Sequence, residues 1–276
     1  MNYYCLIAGL PDIEIEDNKL TFSVANFKEE VRPQLSAADA ELLDMFYMKF
    51  DNQNLLRFLK SKEAIFDERG NFTKDELEES FQFIGEDNKF FPPYFNIFMP
   101  EYREAQTQQA TTTNAFWENR LTELYYQWAM KCSNEFISRW FEFNQNLNNI
   151  LAAYTNRKYK IEVEVVGDNE VAESIKTAKQ RDFGLTGVVE HFDIIQRLAD
   201  ETDLFEREKK IDLLKWQWLD EQTFFKYFSI ERVFAYILKL EIIERWVSLD
   251  PAEGGKLFRS LIDSLKDNVV NYSEND

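Results

Sequence analysis

Turn-forming residues are scarce in this chain, which has 8 Gly and 6 Pro among its 276 residues. β-Sandwiches and barrels need frequent turns and use far more of both residues. The scarcity therefore predicts a mainly α fold, a bundle of long amphipathic helices in repeated subdomains. Aromatic residues make up 16% of the chain, enough to fill the interior of such a bundle.

The charge balance restricts the partners. Fifty acidic and 32 basic residues give a formal net charge of −18. Nucleic acids and anionic lipids both need Lys and Arg to neutralise phosphate, so neither is expected as a main partner. No uninterrupted apolar run is long enough to span a bilayer, and the N-terminus lacks the basic region of a signal peptide. We therefore expect a cytoplasmic protein without direct membrane insertion.

The rare residues restrict the chemistry. The chain has one histidine, His191, and two cysteines, Cys5 and Cys132. These cannot form a His-rich or Cys-rich zinc site or a disulfide framework. There is no G-x-x-x-x-G-K-[ST] phosphate-binding loop and no G-x-S-x-G nucleophile motif. The sequence therefore predicts no catalytic residue, no cofactor and no metal ligand.

One segment resembles a calcium-binding loop only superficially. In Asp67–Glu78 an arginine, Arg69, stands where an oxygen ligand belongs, and Phe72 replaces the glycine of the sharp turn. The pattern instead indicates an ordinary loop that leads into a helix. Thr73 and Glu76 are spaced as a capping box at the start of that helix.

Local patterns predict the secondary structure along the chain. Tyr3–Ala8 reads as a short strand or buried arm, and Asp51 as the N-cap of a second helix after one that begins at Ser36. The aromatic and proline-rich run at 90–95, with Pro100, predicts a loop. Further helices are expected at 170–179, 187–200, 203–225, 230–249 and from 250 onward, with a short extended segment near 160–166.

The longest apolar periodicity runs from Trp117 to Tyr154, with spacings of three and four throughout. This spacing predicts one continuous helix along which other helices pack. It places a division near residue 110, with an N-terminal helical subdomain at 1–110 and the long helix and a C-terminal subdomain at 111–276. One continuous domain is the alternative.

Two short segments resemble each other and suggest internal duplication. Phe46-x3-Phe50-Asp51 matches Phe224-x3-Phe228-Ser229, and apolar residues follow each at similar spacing. In both, we expect a helix to end on aromatic residues and a polar residue to cap the next helix.

Two motifs resemble the C subunit of archaeal and bacterial V-type ATPases, called d in vacuolar enzymes. The helical repeats of that family often start with D-x-x-N-[LI] and have a leucine four residues later, a pattern matched by Asp51, Asn54, Leu55 and Leu59. Near its end the family has an aromatic residue seven positions before a Glu-Ile pair, as in Phe234, Glu241 and Ile242. The family's lysine three residues before this glutamate is Leu238 here, and Lys239 is displaced by one position.

The N-terminus is similar to that of a bacterial branch often encoded beside V-type ATPase genes. Members of that branch begin like Tyr3-Tyr4-x-Leu6-x-Ala8-Gly9-Leu10-Pro11-Asp12. The resemblance implies a non-catalytic central-stalk subunit, a socket between the rotor shaft and the membrane ring that transmits torque during proton or sodium transport. It also implies a location at the inner membrane through other ATPase subunits rather than through lipid.

The resemblance places the partner interface at the C-terminal helix pair. The candidate interface residues are Phe224, Phe225, Tyr227, Tyr236, Glu241 and Glu244. The alternative function is a helical scaffold or adaptor that binds a peptide or a partner helix. An enzyme on an all-helical fold ranks third, because no site appears in the sequence.

Overall fold

The computed structural model describes residues 3–13, 22–81, 90–108, 113–161 and 164–249. Within these ranges the chain forms α-helices, one short 3-10 helix and no strand. The prediction of a mainly α fold is confirmed. The helices are α1 (Tyr4–Gly9), α2 (Val24–Val31), the 3-10 helix (Arg32–Gln34), α3 (Ala37–Lys60), α4 (Lys74–Phe81), α5 (Pro93–Thr107), α6 (Asn114–Met130), α7 (Glu135–Tyr159), α8 (Glu170–Thr177), α9 (Phe192–Asp200), α10 (Leu204–Thr223) and α11 (Ile230–Leu249).

The chain divides into two compact units. Unit 1 comprises Met1–Phe46 and Asp212–Asp276, and unit 2 comprises Tyr47–Ile211. Their boundaries lie at residues 46 and 211, whereas the sequence predicts a division near 110. In the described part of the chain, unit 1 thus joins an N-terminal segment to a C-terminal one, and unit 2 is the middle segment.

Unit 1 is built around α11, which buries apolar residues along its whole length. Its Phe234 ring lies 5.2 Å from the ring of Phe46, and its Tyr236 ring stacks 5.5 Å from Phe27 of α2. Near the far end, the buried Asp212 carboxylate accepts hydrogen bonds from Arg245 and from Trp246 Nε1. Because that carboxylate has donors on α11, its burial is compensated.

Unit 2 has an aromatic core between α5, α6 and α7. Tyr94 of α5 lies 5.4 Å from Trp128, and Tyr125 lies 5.0 Å from Phe141 of α7, measured between ring centres. The Tyr94 hydroxyl donates to Asn52 Oδ1 at 2.7 Å, and burial raises its pKa well above the ordinary value. Rings packed in these tilted and edge-to-face arrangements give a dense interior that resists deformation.

The apolar stripe from Trp117 to Tyr154 belongs to two helices, so the prediction of one continuous helix is wrong. The chain turns between α6 and α7, where Cys132 lies partly exposed instead of on a buried stripe. The Asn134 side chain caps α7 by accepting from Ile137 N at 3.2 Å. The apolar spacing of three and four continues across this turn. The periodicity alone therefore does not reveal that one helix ends and another begins there. Trp140 is buried, as the stripe predicts.

Four other local predictions are wrong. The helix predicted at 187–200 begins only at residue 192. Residues 4–9 form helix α1, and none of them is buried, so they form neither the strand nor the buried arm that was predicted; a short apolar run does not distinguish strand from helix. The aromatic run leads into α5, whose first residue is Pro93, a position where proline favours a helix, and Pro100 lies inside that helix. Asp51 lies within α3 instead of capping a new helix.

Several predictions are confirmed. The capping box is formed, with Glu76 N donating to Thr73 Oγ1 at 3.3 Å and Thr73 N donating to Glu76 Oε2 at 2.8 Å. The bounds of α11 are those predicted, and α8 and α10 differ from the prediction by two residues or fewer at each end. Within the segment 160–166, predicted as extended, the described residues lie outside any helix or strand, and Lys160 is left-handed with φ +54°. The helix predicted from 250 onward lies outside the described residues.

Candidate functional site

The Asp51 side chain binds the loop that follows α3. Its Oδ1 accepts hydrogen bonds from Asn71 N at 2.7 Å and Phe72 N at 3.0 Å, and its Oδ2 accepts from Asn71 Nδ2 at 2.7 Å. Asp51 is fully buried, and a Cβ on Gly70 would lie only 2.5 Å from Oδ1. Glycine at position 70 is therefore required for the loop to approach this carboxylate.

Asn54, one turn further along α3, holds the same loop through both main-chain polar groups of one residue. Its Nδ2 donates to Asp67 O at 2.9 Å, and Asp67 N donates to its Oδ1 at 2.7 Å. Leu55 is buried in the core and Leu59 is partly buried. The four motif residues thus join helix, loop and core, an arrangement that we call the loop clamp.

Arg69 strengthens the clamped loop from within. Its Nε and Nη2 donate to the Asp67 carboxylate at 2.9 and 2.7 Å, and its guanidinium lies 4.1 Å from the centre of the Phe50 ring. These hydrogen bonds from Arg69 hold the pKa of Asp67 below its ordinary value. Arg69, which rules out a calcium-binding loop, therefore stabilises this loop through its contacts with Asp67 and Phe50.

A second loop clamp is present on α7. Asn149 Nδ2 donates to Val166 O at 2.7 Å, and Val166 N donates to Asn149 Oδ1 at 2.9 Å. Three residues earlier, Asn146 Oδ1 accepts from Asn169 Nδ2 at 2.8 Å. Asn169 in turn caps α8 by accepting from Ala172 N at 2.9 Å.

The two clamps share spacing and glycine usage. Asn146, Asn149 and Ile150 reproduce the spacing of Asp51, Asn54 and Leu55, with asparagine in place of aspartate. At the second clamp Gly167 has φ +89°, and a Cβ there would lie 2.7 Å from Gln145 Nε2. The recurrence is therefore structural: a helix, a loop held at close approach, and a capped helix.

Sequence reasoning missed the second clamp and proposed a different duplication. The polar run in α7 has four nearly consecutive buried amides, Asn144, Gln145, Asn146 and Asn149, which was the available signal. The proposed match of 46–51 to 224–229 fails at its first half, because Phe46 and Phe50 lie inside the continuous α3. The second half matches only in part: α11 begins directly after Ser229, but α10 ends at Thr223, before the aromatic residues rather than on them.

Exposed aromatic side chains are concentrated between α10 and α11. The exposed fractions are 61% for Phe224, 84% for Phe225, 61% for Tyr227 and 40% for Phe228. Tyr4, also exposed, lies 4.1 Å from the Phe228 ring. We call residues 224–228 the aromatic turn. Large aromatic residues gathered at the surface are typical of protein interfaces.

Two of the other interface candidates on α11, Tyr236 and Glu244, form hydrogen bonds within unit 1. The Tyr236 hydroxyl donates to Pro11 O at 3.0 Å, and burial raises the pKa of Tyr236 to about 12. Glu244 Oε2 accepts from Val24 N at 2.7 Å, at the first residue of α2.

Glu241 is partly buried, Leu238 is buried, and Lys239 pairs with Asp220 at 2.5 Å. Phe224, Phe225 and Tyr227 are therefore the candidates most available to a partner.

The geometry offers little for bound metal. Among the described residues, no three His, Cys, Asp or Glu side chains lie close enough to hold a metal ion. His191 directly precedes α9, has a left-handed backbone conformation and is partly exposed. No helix in the described ranges is long and apolar enough to cross a membrane.

The fold and site define a mainly α protein with two clamped helix–loop–helix segments and an exposed aromatic turn. The chain belongs to the family described as Protein of unknown function (DUF2764), whose model matches residues 1–269. No curated protein and no solved structure matches the chain.

Proposed function

We propose that the chain is a non-catalytic central-stalk subunit of a V-type ATPase or ATP synthase. In this role it would be a socket between the rotor shaft and the membrane ring and would transmit torque during proton or sodium transport. The observation that carries the proposal is the recurrence of the loop clamp on α3 and α7. Helical repeats of the C/d subunit often start with the motif that forms the first clamp, and the second clamp supports a repeated unit here.

The loop clamps suit a part that must transmit force. At about 1.5 Å per residue, the 25 residues of α7 span roughly 37 Å. A helix of this length transmits torque only if the connections around it do not yield. Asn54 and Asn149 restrain the loops that follow α3 and α7. Each forms hydrogen bonds with both main-chain polar groups of one loop residue.

The aromatic turn is the surface that we assign to a partner subunit. Phe and Tyr side chains supply large contact area with few rotatable bonds, and aromatic anchors dominate many interfaces. The net charge of −18 favours a partner with a basic surface, because charge steers the encounter and sets orientation. Attachment to the membrane would then be indirect, on its cytoplasmic side.

Affinity purification from native membranes tests this function. The tagged chain should copurify with identified shaft and ring subunits of the V-type ATPase after mild solubilisation. A variant with Phe224→Ser, Phe225→Ser and Tyr227→Ser should lose these companions while its melting temperature stays close to that of the wild type.

A matched variant controls for lost surface hydrophobicity. Ile65→Ser with Val188→Ser removes side chains that are 87% and 66% exposed but far from the turn in sequence. It should copurify like the wild type. If the wild-type protein does not copurify with ATPase subunits, the assignment is contradicted. If the aromatic turn binds a helical partner that is not an ATPase subunit, the adaptor function is favoured.

A further inference from the structure

The end of α7 and the segment that follows α8 form a basic surface in unit 2. We call this surface the basic patch, and its members are Arg157, Lys158, Lys160, Lys179 and Arg181. All five residues are exposed. They are gathered at one end of two neighbouring helices, in a chain whose net charge is −18.

Arg157 joins the two parts of the basic patch. Its Nη1 donates to Gln180 O at 2.6 Å and to Arg181 O at 3.0 Å, and its Nη2 donates to Ala178 O at 3.0 Å. The guanidinium thus holds the main chain on both sides of Lys179 against the last turn of α7. The two parts therefore form one surface.

Most nearby carboxylates lie toward the other end of these helices. Asn149 of α7 binds the chain just before α8, whereas Arg157 binds the segment just after it, so α8 runs alongside α7 in the same direction. Asn149 and Arg157 are about 12 Å apart along α7, beyond the screening length of about 8 Å at physiological ionic strength. Lys176 pairs with a carboxylate of α8 at 3.0 Å and is not counted in the patch. The acidic residues described at the start of α8 and just before it are Glu164, Asp168, Glu170 and Glu173.

Few carboxylates oppose the basic patch at its own end. The charges that act on Tyr154, near the end of α7, include the carboxylates of Asp182 and Asp200. Five cations against these two carboxylates leave three positive charges. Glu162 lies outside the described residues, and counting it as well leaves two. The local sign therefore favours an anionic partner.

The patch also offers donors and apolar contact area. The side chains of Lys160, Lys179 and Arg181 form no hydrogen bond or ion pair with another residue in the described part of the chain. Tyr159 and Ile161, on either side of one of these lysines, are 56% and 54% exposed. Charge and apolar surface thus lie side by side.

We infer that the basic patch binds an acidic, extended segment of a partner protein, with carboxylates on Lys160, Lys179 and Arg181 and an apolar side chain against Tyr159. Arginine presents paired N–H donors to a carboxylate, and lysine supplies a point charge. A tyrosine ring adds contact area that is typical of protein interfaces. The patch belongs to unit 2 and the aromatic turn to unit 1, so the inference does not rest on the proposed function.

A protein segment fits this surface better than a bilayer or a nucleic acid duplex. Both of those are broad anionic surfaces that would also face the acidic remainder of a chain with a net charge of −18, which repels them. A short acidic segment contacts only the patch. Because exposed charges are screened by salt, its binding should weaken as ionic strength rises.

Titration of the full chain with a short peptide tests the inference. The probe is acetyl-Glu-Glu-Phe-Glu-Glu-amide, and its neutral control is acetyl-Gln-Gln-Phe-Gln-Gln-amide. The probe should shift the backbone amide NMR signals of residues 159–161 and 179–181 to saturation, and less strongly at higher salt. The neutral peptide should leave these signals unchanged.

Lys160→Glu with Lys179→Glu should weaken binding of the probe at least about tenfold, because attraction at two positions becomes repulsion. Lys62→Glu with Lys131→Glu is the matched control. It changes the net charge equally at exposed lysines elsewhere in unit 2 and should bind like the wild type. If the patch variant does not fold, Lys160→Gln with Lys179→Gln should still weaken binding.

Three results would overturn the inference. The first is the absence of saturation with the acidic peptide, or equal binding of the two peptides. The second is a patch variant that binds like the wild type or like the control variant. The third is tighter binding to duplex DNA, or to vesicles of equimolar phosphatidylserine and phosphatidylcholine, that the patch variant abolishes, since this would assign the patch to a nucleic acid or a membrane.

Discussion

Asn149 holds Val166 through both of its main-chain polar groups, with Nδ2 to Val166 O at 2.7 Å and Val166 N to Oδ1 at 2.9 Å. Asn54 holds Asp67 in the same way. Two asparagines on different helices of unit 2 thus perform one task, which is to fix a loop residue on a helix.

Removal of a loop clamp should destabilise the protein. Asn149→Ala leaves a main-chain donor and an acceptor without their partner, at a cost of about 2–3 kcal/mol in the free energy of unfolding. Asn54→Ala should behave in the same way. Asn148→Ala, at the exposed neighbour, should change that free energy by less than about 0.5 kcal/mol. Equal urea midpoints for Asn148→Ala and Asn149→Ala would contradict the role of the clamp.

Acid should weaken the clamped loop through Asp67. Because Arg69 lowers the pKa of Asp67 below 3.8 in the folded state, this carboxylate adds stability above pH 3.8. That contribution is lost as the pH falls from this value through the lower folded-state pKa. Asp67→Asn should therefore flatten the fall in melting temperature in this acid range. Glu68→Gln, at an exposed neighbouring residue, is the control, and its melting temperature should fall with pH as steeply as that of the wild type. An equally steep fall in Asp67→Asn would refute the role of Asp67.

The core of unit 2 should depend on Trp140. The side chain is only 8% exposed, and Trp→Ala changes in a core cost about 3–5 kcal/mol. For a chain of this size, Trp140→Ala should lower the melting temperature by at least about 6 °C. Phe116→Ala, at a ring that is 42% exposed on α6, should have a much smaller effect. A Trp140 variant that melts like the wild type would show that this stripe does not hold the helices together.

Glu244 should contribute to the stability of the fold and should not contact a partner directly. Its carboxylate accepts the first main-chain N–H of α2, so Glu244→Ala should cost about 1 kcal/mol, and Glu244→Gln, which keeps an acceptor, should cost less. Glu29→Ala, at an exposed position on α2, provides the baseline in the same denaturation series. Loss of a partner in Glu244→Ala therefore would not locate an interface, whereas the same loss in a stable Glu241→Gln variant would.

Local signals in the sequence were sufficient for part of this structure. The Thr73 and Glu76 capping box and the bounds of α11 follow from contacts within a few residues. Asp51 is a residue whose role cannot be predicted from its sequence neighbours. An aspartate before an apolar helical run resembles an N-cap, but its oxygens bind main-chain N–H groups twenty positions away, which no local pattern reveals.

The candidate site divides in the same way. The motif at 51–55 was recognised from its residue types, and the aromatics at 224–227 from their place between two helices. The clamp on α7 differs in sequence from the clamp on α3, because asparagine replaces aspartate and because its bonded residues are further apart, with Val166 seventeen residues after Asn149 against thirteen from Asn54 to Asp67. Engagement of Glu244 depends on a contact across 220 residues, which only the fold provides.

Native mass spectrometry of the intact V-type ATPase, purified from cells that encode this chain through a tag on a catalytic subunit, tests the central claim most directly. The account predicts that the complex contains this 32.9 kDa chain and releases it together with shaft subunits on gentle dissociation. An active complex that retains shaft and ring but lacks the chain would contradict the account.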